Sequence, residues 1–307
     1  MSVNTILSRV GALFDDPTGL ARPLWRDYSR YQGMVNFDIA KANGVLGMVA
    51  RAGISWGYTD PFFETNWVGA GKVDMRRSSY HVLYPSESVI RQADNWYRIH
   101  PEREVIPRVI DLELHTDQSW KRIADQTWAM SQLVKSRDGI RPIIYSRYLL
   151  INQWLQSWTT EMLNDHYYWL AQYSWFGYRE HAGPPTLPNR VRRDRVVLHQ
   201  TSDHKAPFPG EVQSKSVDWD RWEIGNEEQM NQWIDVAWGE GPEPPPVPPA
   251  GIKEVKVTAS ALNIRADADA SSKDIGTLVG GSTVPVEGDD GDWLKLYPGW
   301  IHGNFVE

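Results

Sequence analysis

The chain has 307 residues, no cysteine and a formal net charge of −7. This length holds one large domain and a small one, and without cysteine neither a disulfide framework nor a thiolate metal site is possible. Residues 252–307 carry five basic and nine acidic groups and the first 238 residues are close to neutral, so no basic stripe exists to neutralise a phosphate backbone and nucleic acid is not expected as a partner. No apolar run approaches the ~20 residues of a membrane span, so no membrane partner is expected either. The 16 Trp and 13 Tyr exceed what a core of this size requires. Two readings stand side by side: an aromatic-heavy core, or a groove with stacking platforms for sugar rings.

Residues 1–23 read as an N-terminal extension. Ile6, Val10, Leu13 and Phe14 fall at helical spacing behind Asn4 or Thr5 as cap, which predicts a short amphipathic helix. A basic leader region is missing and Ser8-Arg9 interrupts the apolar residues, so the stretch does not read as a signal peptide. The expectation is a protein made in the cytoplasm.

From residue 24 to 238, short apolar runs alternate with helical patterns. Strands are predicted at Leu24–Tyr28, Leu46–Arg51, Arg77–Leu83, Val105–Leu112, Pro142–Tyr145, Tyr168–Ala171, Arg195–Thr201 and Ser216–Trp219. Helices are predicted at Phe37–Asn43, Asp60–Lys72, Ser86–His100, Ser119–Arg137, Tyr148–Ser157 and Glu227–Trp238. Such alternation indicates a parallel α/β architecture, and eight strands indicate an irregular TIM-like (β/α) barrel. Its last three strands are joined by loops rather than clear helices. Residues 239–251 contain Gly-Pro-Glu-Pro-Pro-Pro-Val-Pro-Pro-Ala-Gly, a semi-rigid polyproline spacer. Beyond it, residues 252–307 change to short alternating strands with Gly/Asp/Ser turns, the pattern of a small all-β barrel.

The stretch with most chemical content is Asp111-Leu112-Glu113, closing the apolar run that begins at Val105. Alternate side chains of a strand share a face, so both carboxyls would project together at its end. Two carboxyls held side by side resist double ionisation, which raises the pKa of one. That places a proton donor beside a charged partner near neutral pH, as acid-catalysed glycoside cleavage requires. Gln200 and Asp27 also fall near strand ends. The chain shows no His-Glu-Xaa-Xaa-His or similar ligand spacing, so no metal or cofactor is expected.

Several motifs accompany the acidic pair: Asp27-Tyr28-Ser29-Arg30-Tyr31-Gln32-Gly33, Asp60-Pro61-Phe62-Phe63-Glu64, Tyr80-His81, Leu198-His199-Gln200 and Val217-Asp218-Trp219. In this order the chain resembles the family-25 glycoside hydrolases, lysozymes that cleave peptidoglycan as N-acetylmuramidases. The resemblance implies Glu113 as general acid, with Asp27, Asp111 and Asp218 completing an acidic floor. It also maps Tyr80, His81 and Gln200 onto family positions, and these with Arg51 are the candidate substrate contacts. Tyr145, Trp169 and Tyr173 follow apolar strand segments, where lining a cleft and packing a core are both open. His81 reads more readily as a structural or orienting group than as a catalyst. Departures from the family pattern are Tyr28, Ser78-Ser79 before Tyr80, and His199 before Gln200; they touch substrate fit rather than the carboxylates.

The C-terminal segment resembles bacterial Src-homology-3-like wall-binding domains through Ala261-Leu262-Asn263-Ile264-Arg265 and Gly299-Trp300-Ile301-His302. The combined expectation is a peptidoglycan hydrolase of endolysin type, acting at the bacterial cell wall after phage-type release. Alternatives are a catalytically silent wall-binding or virion protein and a chitinase-like glycosidase.

Overall fold

The computed structural model describes residues 22–237, except 103 and 175–178, and residues 253–307, except 282, 287, 297 and 298. The helix expected in the N-terminal extension and the proline-rich linker lie outside the described residues. The first domain has nine strands: β1 (Leu24–Tyr28), β2 (Val45–Ile54), β3 (Tyr58–Thr59), β4 (Arg76–Val82), β5 (Val109–Asp111), β6 (Ile143–Ser146), β7 (Tyr167–Ala171), β8 (Val196–Lys205) and β9 (Val217–Trp222). Eight close into a barrel in the order β1-β2-β4-β5-β6-β7-β8-β9, and β3 folds back on β2 as an antiparallel appendage.

All barrel pairings from β1 to β8 are parallel, as expected, but β9 runs antiparallel to both β8 and β1. The physical reason lies in the connection. A parallel neighbour needs a crossover, usually a helix, whereas the β8–β9 link is a loop that returns the chain directly. The strand expected at Val105–Leu112 is also shorter than its apolar run, spanning Val109–Asp111 alone. Pro107 has no N–H to give a ladder, and the flanking Glu104 and Arg108 form an ion pair at 2.8 Å instead. Helix Phe63–Lys72 starts later than the Asp60 predicted, because the Asp60 carboxylate accepts the Phe62 N–H and holds a turn there. Helices Val89–Ile99 and Trp120–Asp138 are capped by Ser88 and Ser119, and the second stops at Gly139, whose φ of 78° suits glycine.

Strand alternation divides the apolar residues between two cores. Trp25, Val49, Val109, Ile143, Trp169, Leu198 and Trp222 fill the barrel interior, and Tyr28, Met48, Ile110, Leu112, Ile144 and Leu170 face the outer helices. Trp25 stacks on Trp222 with centroids 5.8 Å apart. Gly47 is required beneath it, since a Cβ there would lie 2.7 Å from the Trp25 ring. The interior is therefore a packed plug with a polar top.

The C-terminal domain comprises β10 (Lys253–Lys256), β11 (Ala261–Arg265), β12 (Asp274–Val279), β13 (Thr283–Val286), β14 (Gly288–Asp290), β15 (Trp293–Lys295) and β16 (Trp300–His302). They form a β10-β13 pair and a five-stranded sheet around Val255, Leu262, Ile264, Leu278 and Ile301. Strand β14 was not anticipated, because Gly-Asp-Asp has the composition of a turn.

Candidate active site

A cavity of about 250 Å³ opens at the C-terminal ends of the parallel barrel strands and the N-terminal end of the antiparallel β9. Asp27, Arg51, Tyr80, Asp111, Glu113, Tyr145, Trp169, Tyr173, Gln200 and Asp218 all line it, from β1, β2, β4, β5, β6, β7, β8, β9 and their following loops. Of the residues read from the sequence as site candidates, His81 alone is outside. It follows Tyr80 and so points to the outer side of β4, where it is buried and stacks on Trp96 at 5.3 Å. Burial depresses its pKa to about 3, so it is a neutral packing group. His199 has the same explanation. It faces outward from β8 and donates from Nε2 to the Gln172 carbonyl at 2.9 Å, so this departure from the family pattern leaves the cleft untouched.

At the end of β5, Leu112 turns into the outer core and its N–H continues the ladder to the Tyr145 carbonyl at 2.9 Å. Asp111 and Glu113 accordingly share the inner face. Asp111 is buried, while Glu113 stands at the mouth with much of its side chain exposed. Burial pushes the Asp111 pKa well above the usual carboxylate range, and the negative charges of Glu113 and Asp27 add to it against the pull of Arg51. The Glu113 carboxyl faces the cleft, where loss of solvent raises its pKa; Arg147 opposes this, and Asp27 and Asp203 reinforce it. Like-charge repulsion, the cause read from the sequence, is thus present but second to burial.

Asp27 sits at the end of β1. Its Oδ2 accepts from Gln200 Nε2 at 2.8 Å. The amide orientation is set from the other side, because Gln200 Oε1 accepts both the Tyr145 hydroxyl (2.7 Å) and the Tyr173 hydroxyl (2.6 Å). These two tyrosines do more than fill space: they aim the one amide donor at Asp27. Burial raises the pKa of Asp27, and hydrogen bonds from Gln200, Asp218 and Asp220 and the charge of Arg51 hold it down. Arg51 in turn is fixed to Asp60, with Nε and Nη2 both 2.7 Å from Oδ2.

Asp220 is the residue the sequence reading missed. On an antiparallel strand it shares the inner face with Asp218 two residues earlier, is fully buried, and accepts from Trp169 Nε1 at 2.9 Å. Burial and the neighbouring Asp27 push both Asp218 and Asp220 well above the usual range. The three carboxyls thus titrate as one coupled group, in which Asp27 has a neutral amide donor at Oδ2 and Asp218 and Asp220 hold their protons more tightly than isolated aspartates. The signal was available in the alternation Asp218-Trp219-Asp220. Ser29, Tyr31, Gln32 and Asp203 also line the cavity without having been singled out as site residues. Gln32 closes the loop after β1, its Oε1 accepting the Ser29 N–H at 2.8 Å. This constellation offers a protonatable carboxyl at the mouth, a second beneath it, and a hydrogen-bonded carboxylate on another strand.

Residues 260–307 match the bacterial SH3 domain. Among curated proteins, the uncharacterized protein YegX of Escherichia coli O6:H1 is 28% identical over 153 residues, covering 48% of this chain and 55% of that protein. The chain thus spans about half the length of the curated relatives it matches. Among solved structures, the bacterial lysozyme from Streptomyces coelicolor superposes with a TM-score of 0.61 at 20% identity, over 71% of this chain and 99% of that one. A family 25 glycosyl hydrolase from Bacillus anthracis gives 0.57 at 18% over 68% and 92%. The catalytic domain of the endolysin ply40, from a Listeria monocytogenes bacteriophage, gives 0.56 at 18% over 69% and 97%. At these identities the superpositions speak for the fold. Membership rests on the sequence pattern described as glycosyl hydrolases family 25, which matches residues 26–204, more than half the chain, and takes in Asp27, Asp111, Glu113 and Gln200. The chain belongs to the glycosyl hydrolases of family 25.

Proposed function

We propose that the protein is a peptidoglycan muramidase that hydrolyses the β-1,4 bond between N-acetylmuramic acid and N-acetylglucosamine. The observation that carries this is the Asp111–Glu113 pair on one face at the end of β5, opening into a cleft whose opposite strands supply Asp27 and Asp218. Glu113 at the mouth donates its proton to the leaving sugar oxygen. Its raised pKa keeps that proton available nearer to neutral pH than an ordinary glutamate would.

Two routes to the anomeric carbon exist: direct attack by a carboxylate, or attack by the substrate's own acetamido oxygen. The environment of Asp27 favours the second. Its carboxylate already accepts from Gln200 and lies against Asp218 and Asp220, so it is held as a hydrogen-bonded acceptor. Asp111, on the same strand face as Glu113, is placed to accept the acetamido N–H and orient it. The acetamido oxygen then closes on the anomeric carbon as the glycosidic bond breaks. Glu113, now a carboxylate, takes a proton from the water that reopens the ring, and configuration is retained. The C-terminal domain serves as a tether to the wall, raising the effective concentration of the barrel there.

Digestion of purified cell walls and of chitin, with product ends reduced by borohydride and identified by mass spectrometry, tests this reading. Reduced N-acetylmuramic acid ends from walls and no release from chitin are expected. Reduced N-acetylglucosamine ends alone, or cleavage of chitin alone, would overturn it. Proton NMR of the first-formed product should show the β-anomer, and an inverted anomer would remove the substrate-assisted route. Deleting residues 252–307 should leave hydrolysis of soluble wall fragments in place and reduce sedimentation with intact walls; equal sedimentation would remove the tethering role.

A further inference from the structure

The cleft poses an electrostatic problem for the substrate class proposed above. Asp27, Asp111, Glu113, Asp203 and Asp218 line it, and the one lining arginine among the described residues, Arg51, is already bound to Asp60. Peptidoglycan carries carboxylates on its peptide stems, and a cleft lined by carboxyls offers those stems no free cation and repels them through whichever of its acids are ionised. Two arginines at the rim change that balance. Arg147 directly follows β6, is exposed, and its guanidinium lies 5.4 Å from the centroid of the Tyr173 ring. Arg30 lies just after β1, is exposed, and stands 5.1 Å from the Tyr31 ring, itself 66% exposed. Neither guanidinium forms an ion pair with an acidic side chain among the described residues. Tyr31 and Tyr173 both line the cavity. In the barrel order β1 and β6 are four strands apart out of eight, so the two pairs face each other across the mouth.

We infer that these two arginine–tyrosine pairs, Arg147 with Tyr173 and Arg30 with Tyr31, recognise the carboxylates of the peptide stems borne by the wall glycan. The inference rests on the muramidase reading and names what makes that site prefer charged wall glycan. A guanidinium presents a planar fork that matches a carboxylate, and an adjacent phenol ring offers an apolar face to a sugar or peptide backbone. Asp60 supports one pair directly: its Oδ2 accepts the Arg30 N–H at 3.1 Å while also holding Arg51, which fixes the loop after β1. Arg147 stands close enough to Glu113 to oppose the rise in its pKa. Placing a cation there weakens the proton-holding of the general acid, which is a cost without return unless the cation also meets substrate.

The test compares peptide-bearing glycan strands whose stem carboxylates are free with the same strands amidated by carbodiimide and ammonia. The full-length protein should show a KM for the free-carboxylate strands about three- to tenfold lower than for the amidated ones, the worth of an exposed charge-assisted contact. In Arg30→Gln/Arg147→Gln the two KM values should converge, chiefly by a rise in the first, with melting temperature as wild type. Equal KM values in the wild type, or a preference that survives in the double variant, would overturn the inference. Absence of cleavage of both substrates by the wild type would overturn the muramidase reading itself, and the inference with it.

Discussion

Strand β5 has a buried carboxylate cluster at each end, and the two are built on opposite principles. Before the strand, Glu104 accepts the Ser79 N–H and the Ser78 and Ser79 hydroxyls, and pairs with Arg108, which also reaches Asp138 at 3.0 Å. After it, Asp111 Oδ1 and Asp220 Oδ2 are buried and neither has a hydrogen-bond partner among the described residues. Residue type and burial are alike; the supply of donors differs. A buried carboxylate surrounded by donors and a guanidinium holds the fold together. One left among other carboxylates has a raised pKa and costs stability at neutral pH, which is tolerable where the group has chemistry to do. The division follows the barrel: the closed end is built for stability, the open end for chemistry.

The sharpest test of this contrast replaces one acid from each end. Glu113→Gln should lower kcat on the order of 10²–10⁴-fold, the usual worth of general acid catalysis, with the melting temperature unchanged. Near-normal turnover would show that the open end does not depend on the Glu113 proton. Glu104→Ala should do the reverse, costing about 3–5 kcal/mol in denaturant titration because Arg108 is left buried and half-paired, while kcat measured well below the melting temperature stays within about twofold.

A smaller effect is expected at Gln200, which links the clusters' logic by giving Asp27 its one amide donor. Gln200→Leu strands the Tyr145 and Tyr173 hydroxyls as well as Asp27, and kcat should fall by about tenfold. The acid limb of the pH profile should move to higher pH, since losing a hydrogen bond to the charged form raises the Asp27 pKa. An unmoved limb would mean that Asp27 ionisation does not matter to the rate.

The smallest effect concerns stability against pH. Asp111 has a folded pKa well above its unfolded value of ~3.9, so above that value the folded state binds more protons than the unfolded one. Its contribution is then fullest below about pH 4 and is lost as pH rises toward the folded pKa. Asp111→Asn cannot titrate and should be more stable than wild type at pH 7 by ~1 kcal/mol, about 2–4 °C for a domain of this size. The gain should vanish near pH 4. A variant less stable than wild type at pH 7 would place Asp111 with Glu104, as a carboxylate the fold relies on.

What the sequence determined by itself was the phase of each strand. Side-chain alternation is a local property of extended backbone, so Asp27, Asp111 with Glu113, and Asp218 could be assigned to one inner surface from their positions in apolar runs, and the same rule would have added Asp220. Family resemblance named the chemistry on the same residues. The composition shift after residue 251 likewise marked a second, all-β unit. Tertiary structure alone decided the rest. The antiparallel course of β9 is one such case: the sequence showed loops rather than helices between the last three strands, yet β7 and β8 pair parallel and only β9 turns back, which depends on where each loop delivers the chain. The outward turn of His81 needed the true register of β4, since Tyr-His adjacency says only that one of the two must point away. The order of proton affinities in the cleft was beyond the sequence for the same reason. Burial and charge–charge energies depend on distances between residues from different strands, and those distances exist only once the barrel has closed.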